Sequence, residues 1–196
     1  MADYELNLPR VPMLAKEEAR IIGKEAGVPS TMAGLNVFRI LSQHPTLAGV
    51  VAQQLAMLLY RGNKLDDRLR ELIIMRIGWR TGAMYEWTQH WPIALRVGLT
   101  EEEILAVRDP DNSTCLGAAE RSVISATDDV LNKGSITNES WQACAGFLKT
   151  HEERLELVAA ICNWNTFSIL LKSLNIPLEE GAEAWPPDGV PSQAAV

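Results

Sequence analysis

Segment after segment of this 196-residue chain carries its apolar residues at the three- and four-residue spacing of helix turns, and no stretch alternates convincingly with the period of two that a half-buried strand needs. A chain patterned this way can bury its apolar stripes only by packing helix on helix, so the expected class is all-α, a helical bundle built as a single domain. With 47% hydrophobic residues there is enough apolar surface for one filled core.

Punctuation residues divide the pattern. Pro9 and Pro12 remove backbone donors from a stretch without periodicity, so residues 1–12 read as an extended arm lying on another surface. Helices are expected at Met13 to Ala26, capped by Gly27, at Thr31 to Gln43, closed by His44-Pro45, and at Thr46 to Tyr60. Asp66 or Asp67 then opens a helix to about Arg80, Thr81-Gly82 breaks it, and another covers Ala83 to Val97. Thr100 to Glu103 is a capping box for a brief helix. The loop Arg108 to Thr114 precedes helices at Leu116 to Leu131, Thr137 to Phe147 and His151 to Leu174, the last broken in character only by the polar pair Asn163 and Asn165. The domain proper is thus expected over 13–177. Residues 178–196, with the prolines of Ala184-Trp185-Pro186-Pro187, read as an arm or frayed tail.

Composition narrows the function classes. The formal charge of −7 is spread along the chain, which argues against nucleic-acid binding. No apolar run approaches the roughly 20 residues that cross a bilayer, and the first residues lack the basic and apolar regions of a signal peptide, so no membrane partner and a cytoplasmic location are expected. Cys115, Cys144 and Cys162 are widely spaced and odd in number, fitting neither a disulfide framework nor a zinc knuckle; buried free thiols are the simpler reading.

Three polar residues stand out against apolar surroundings. Glu71 shares a helix face with Ile74, Met75 and Gly78, where a carboxylate is costly unless paired or protonated; a salt bridge to Arg68 one turn earlier is the structural alternative. Glu86 and His90, four residues apart, are neighbours on the next helix, and a carboxylate there orients the imidazole and raises its basicity, although the same spacing also occurs in solvated surface pairs. Tyr85, Trp87, Trp91 and Trp79 supply an aromatic setting that is either site wall or core. Pro92 is expected to kink the helix just past His90 and free the carbonyl of Thr88.

The stretch Leu65 to Ile74, then Tyr85-Glu86-Trp87-Thr88-Gln89-His90, then Ala94 to Ile104 resembles the carboxymuconolactone decarboxylase and alkylhydroperoxidase D-like superfamily, with the match specific over about Pro45 to Val107. The resemblance implies an alkylhydroperoxidase D-like bundle and, often, assembly as trimers or hexamers. The peroxidase branch carries a Cys-x-x-Cys-x-x-x-His signature, but here its cysteine positions hold Ala83 and Glu86, so thiol peroxidase chemistry is not expected. Glu71 and His90 match the family's proton relay, and Glu86 resembles the carboxylate of the decarboxylase branch. What the resemblance implies is a cofactor-independent, decarboxylase-like lyase that moves protons on a small organic acid or lactone. The same residues also suit isomerisation, hydration or lactone opening. His90 is the expected proton donor, oriented by Glu86, with Glu71 keeping His90 charged or relaying protons. Arg76 and Arg80 either fork onto a substrate carboxylate or form surface or inter-subunit ion pairs, and Tyr85, Trp87 and Asn163 are the remaining candidates to line the substrate. As metal ligands Glu71, Glu86 and His90 form an incomplete set, so neither metal nor cofactor is expected. A catalytically silent binding or assembly protein of the same fold is the competing reading.

Overall fold

Residues 8–195 are described in the computed structural model, and among them ten α-helices and one terminal 3-10 turn account for all regular structure, without a strand. The all-α expectation therefore holds. The first seven residues of the expected N-terminal arm lie outside the described residues. The helices are α1 (Lys16–Glu25), α2 (Ser30–Ala33), α3 (Asn36–Leu41), α4 (Pro45–Tyr60), α5 (Asp67–Thr81), α6 (Met84–Arg96), α7 (Glu101–Ala106), α8 (Ala118–Lys133), α9 (Asn138–Phe147) and α10 (His151–Ser173). No helix among the described residues is long and apolar enough to cross a membrane.

The helices gather into two compact units, one holding the chain up to Asn63 together with Leu171–Ala182, the other Lys64–Leu170 together with the chain from Glu183 onward. In the first unit, α1 to α4 close over Ala19, Phe38, Ile40, Ala48 and Ala52, all but removed from solvent. Residues 8–14 run extended beside them: Arg10 N–H donates to the carbonyl of Leu174 (2.9 Å), Asn175 donates to Leu8 O (2.8 Å) and Gln43 to Pro12 O (3.0 Å). The single helix expected over Thr31 to Gln43 is two. Gly34 ends α2, Leu35 is extended, and the restart is fixed by buried Asn36, whose backbone N–H donates to Glu179 Oε1 (2.9 Å) and whose side-chain amide donates to the carbonyl of Leu178 (3.0 Å). These two bonds, with a third from the same amide to Pro177 O (3.3 Å), outweigh the continuity of an apolar periodicity.

The second unit is organised around α5. Ten consecutive residues, Leu69–Gly78, are buried, the apolar run Leu72–Met75 requiring a helix covered on every side and the charged Arg70, Glu71 and Arg76 being enclosed with it. Asp66 caps its start by accepting from the N–H groups of Arg68 (2.9 Å) and Leu69 (3.1 Å), and Gly82 ends it in the left-handed region at φ 66°. After one residue the chain reverses into α6, and at Gly78 the missing side chain lets the backbone of Trp87 approach closely. As expected of the span Ala83 to Val97, α6 continues through Pro92 to Arg96. Thr100 and Glu103 form the anticipated capping box of α7, Thr137 caps α9, and α10 is continuous through Asn163 and Asn165.

Residues 183–195 lack periodicity yet are firmly placed. Trp185 is buried, Trp87 Nε1 donates to Pro186 O (2.8 Å), Arg108 makes a two-pronged pair with Asp188 (2.7 and 3.0 Å), and Ser192 Oγ donates to Trp79 O (2.5 Å). The segment is an arm returning onto its own unit, not a frayed tail. Its last turn lies against Gly82, where any Cβ would run into the backbone of Ala194 and Ala195. Gly82→Ala therefore meets two penalties, a left-handed φ and a backbone clash, and is expected to destabilise the protein by about 2–4 kcal/mol in urea unfolding.

Candidate active site

Glu71 sits at the middle of α5, and Glu86 and His90 lie one turn apart on α6, so the tight antiparallel reversal at Gly82 brings the three side chains together. Their solvent exposure is 0%, 2% and 7%. His90 Nδ1 is 2.7 Å from Glu71 Oε2, and His90 Nε2 is 3.3 Å from Glu86 Oε1. The imidazole is thus held between two carboxyl groups, one at each nitrogen.

The two contacts differ in kind. Arg70, itself buried, places its Nε and Nη2 at 3.1 and 3.0 Å from Glu71 Oε1, which leaves Oε2 to accept from the histidine and so assigns the hydrogen on Nδ1. The remaining Arg70 nitrogen reaches Asp67. Glu86 Oε1, by contrast, stands at ion-pair distance from Nε2 without closing a hydrogen bond, and this buried oxygen has no hydrogen-bond partner among the described residues. Trp164 of α10 meets the histidine ring edge-on at 6.0 Å.

Electrostatics follow from this arrangement. Desolvation is the main reason that the Glu86 pKa rises to about 7; the adjacent His90 works against the rise, Glu71 adds to it, and the indole N–H of Trp164 opposes it weakly without closing a hydrogen bond of ordinary geometry. Burial alone would depress the His90 pKa, but the charge and hydrogen bond of Glu71, helped by Glu86, outweigh burial and the opposing charge of Arg70, so His90 is raised. A carboxyl group that titrates near neutrality beside an imidazole of raised basicity can share a single proton, as acid with neutral ring or as carboxylate with imidazolium.

The other expected site residues are placed elsewhere. Arg76 forks onto Asp128 of α8 (2.9 and 2.7 Å) and donates to the carbonyl of Val107 (2.5 Å), while Arg80 binds Asp128 (2.7 Å) and Asn132 (2.8 Å). These contacts make them ties between α5 and α8 rather than anchors for a substrate carboxylate. Trp87 belongs to a nest with Trp79, Trp91 and Trp185, its N–H engaged by Pro186 and the guanidinium of Arg108 lying 4.9 Å from its ring, so it is core rather than site wall. Tyr85 is buried on α6 but projects roughly 100° around the helix from Glu86. Asn163 precedes Trp164, and its Nδ2 is buried without a partner. The expected alternative of a Glu71–Arg68 bridge is replaced: Arg68 pairs with Glu103 (2.6 Å) and donates to Gly98 O.

Two residues of the candidate site escaped the sequence, Arg70 and Trp164. A buried arginine next to Glu71 was visible in principle, because ten apolar-flanked positions in one helix force any charge among them to find a partner. Trp164 lies 74 positions from His90, and nothing local signals the contact. Of the three expected buried thiols only Cys144 is buried, Cys115 being half-buried and Cys162 exposed; burial lifts the Cys144 pKa to about 11 and its Sγ donates to Ser122 O (3.3 Å).

Residues 48–129 match the carboxymuconolactone decarboxylase family. Among solved structures, the alkylhydroperoxidase AhpD core, an uncharacterized peroxidase-related protein of Ralstonia eutropha JMP134, superimposes with a TM-score of 0.72 at 14% identity, over 88% of this chain and 93% of that one. An uncharacterized peroxidase-related protein of Silicibacter sp. TM1040 gives 0.71 at 11% identity, over 89% and 91%. A cysteine-to-alanine variant of a debrominase in complex with 2,3,4-tribromopyrrole gives 0.69 at 18% identity, over 87% and 91%. At these identities the likeness is one of fold. No curated protein sequence matches the chain.

The raised Glu86 pKa has a stability consequence. The folded protein holds a proton on Glu86 between pH 4.5 and 7 that the unfolded chain releases, so the stabilisation is complete below that window and lost as pH rises through it. His90, also raised, shifts stability in the same direction above its ordinary value. Thermal or urea unfolding between pH 5 and 8 is expected to show wild type losing up to about 3 kcal/mol relative to Glu86→Gln, whose amide does not titrate.

Proposed function

We propose that this chain, whose residues 48–129 match the carboxymuconolactone decarboxylase family and which has no thiol at either position matching the peroxidase cysteines, is a cofactor-independent acid–base enzyme acting on a small organic acid or lactone. The observation that carries this reading is the buried imidazole between Glu71 and Glu86, with an oxygen of Glu86 left unused. Decarboxylation, or a closely related lyase or isomerase step, is the reaction that uses all three groups.

In that reaction the bond from carbon to the departing carboxylate breaks, carbon dioxide leaves, and the electron pair passes into a conjugated carbonyl. The resulting enolate takes a proton on carbon from the Glu86–His90 pair. Arg70 and Glu71 hold the ring in the tautomer that presents Nε2 to the reacting carbon, and Glu86 supplies or accepts the exchangeable proton. The enzyme is proposed to work in the cytoplasm as a homo-oligomer, a trimer or hexamer. Support for self-association comes from the exposed apolar row Leu47, Val50, Met57 and Tyr60 on α4 and from Leu155 and Ile169 on α10.

Lactones and β-keto acids screened for carbon dioxide release are expected to yield a substrate. With it, His90→Gln and Glu86→Gln should each lower turnover by about 10²-fold or more while circular dichroism stays unchanged. Unchanged turnover in both variants defeats the assignment, and saturable binding without any turnover in the wild type identifies a binding protein instead.

A further inference from the structure

Buried polar groups in the second unit are, as a rule, satisfied close to home. The hydroxyls of Thr81, Ser122 and Thr127 each donate to the carbonyl one turn back at 2.7 Å, and the indole of Trp87 donates to Pro186. Three groups on α10 break the rule: Asn163 Nδ2, Trp164 Nε1 and Ser168 Oγ have no hydrogen-bond partner among the described residues, and Trp164 and Ser168 are fully enclosed, at 0% exposure. Ser168 forgoes even the carbonyl one turn behind it, which was available by helix geometry.

These orphans are not scattered. Positions 164 and 168 lie one turn apart on one face of α10, among Leu157, Ile161 and Leu171. Trp164 meets His90 edge-on at 6.0 Å and faces Glu86, whose Oε1 is likewise unpartnered among the described residues. Each buried polar group left without a partner costs about 1–3 kcal/mol, and Trp164 Nε1, Ser168 Oγ and Glu86 Oε1 together call for a ligand that completes them.

We propose that Trp164 Nε1 and Ser168 Oγ are the donors that receive the substrate's carbonyl oxygen, the oxygen of a lactone or β-keto acid on which negative charge develops. The assignment rests on the acid–base reading for its reaction but not for its binding site. As carbon dioxide departs, the electron pair shifts onto that oxygen, the two donors stabilise it there, and its return to carbon takes up the proton of the Glu86–His90 pair. Both donors are neutral and set in apolar surroundings, which suits a carbonyl that becomes an oxyanion in the transition state better than a ground-state carboxylate.

The test is a proton–nitrogen NMR titration of the full chain, with the Trp164 indole resonance assigned by Trp164→Phe. The neutral lactone γ-butyrolactone is expected to shift that resonance saturably, and Ser168→Ala to weaken its binding by about tenfold. Ser168→Ala removes one buried oxygen and keeps the test decisive if Trp164→Phe does not fold. An indole unmoved by the lactone, a response to acetate in place of the lactone, or unchanged affinity in Ser168→Ala overturns the proposal. His90→Gln separates the two readings. If it keeps lactone affinity and loses turnover, both stand; if it keeps turnover while Ser168→Ala loses affinity, the acid–base assignment falls and the carbonyl site remains.

Discussion

The ion chain from Arg70 through Glu71 to His90 is the constraint on which the second unit depends. A helix buried over ten consecutive residues is an expensive place for a guanidinium and a carboxylate, and breaking such a pair leaves an uncompensated charge worth several kcal/mol. Both Arg70 contacts fall on one oxygen of Glu71, so the other is available only to a group arriving from α6. His90 is that group. The pairing therefore fixes the register of α6 on α5 as firmly as the apolar contacts do, because a shift of one residue would leave Glu71 half satisfied.

Around this chain, α6 keeps two faces with separate duties. One carries Glu86 and His90 toward Glu71 and Trp164; the other carries Trp87 and Trp91 into an aromatic nest closed by Trp185 and Arg108. Edge and offset contacts among large rings resist small rotations, so the nest holds the helix at a set angle while the polar face stays free to react. The C-terminal arm contributes Trp185 to that nest and lays its last turn on Gly82, where α5 gives way to α6. Residues remote from Glu71, Glu86 and His90 thereby stiffen the hairpin that brings them together.

Much of this was legible in the sequence, and the exceptions share a cause. The helices, the caps at Asp66, Thr100 and Thr137, and the pairing of Glu86 with His90 follow from spacings of three or four residues, which local backbone geometry enforces. The partner of Glu71 did not. Residues adjacent in a helix do not ordinarily face one another, so Arg68 was the better local guess, but Arg68 is drawn outward to Glu103 while the long guanidinium of Arg70 folds back within the interior. The break at Gly34 and Leu35 depends on Glu179 and Leu178, and the docked arm depends on Thr88 and Trp79, all more than 90 positions away. For Arg76 and Arg80 an ion pair was one of two readings, but its partner Asp128 could not be named because it lies in another helix. Contacts of that range leave no periodicity to read.

The carboxyl at position 86 also explains why proton transfer, rather than thiol chemistry, is the coherent reading. A thiol nucleophile there would have to ionise beside Glu71 and within a dry interior, both of which disfavour a thiolate unless His90 is permanently charged. A carboxyl in the same place gains from what a thiol would lose: desolvation lifts it to about 7, into the range where it exchanges a proton with the imidazole at little cost. With Arg70 offset by Glu71, the Glu86–His90 pair holding one proton is neutral overall, so the site can be buried without a net charge. Adding or removing that single proton changes the charge of the pair, next to the oxygen of Glu86 that is unpartnered among the described residues and the indole of Trp164.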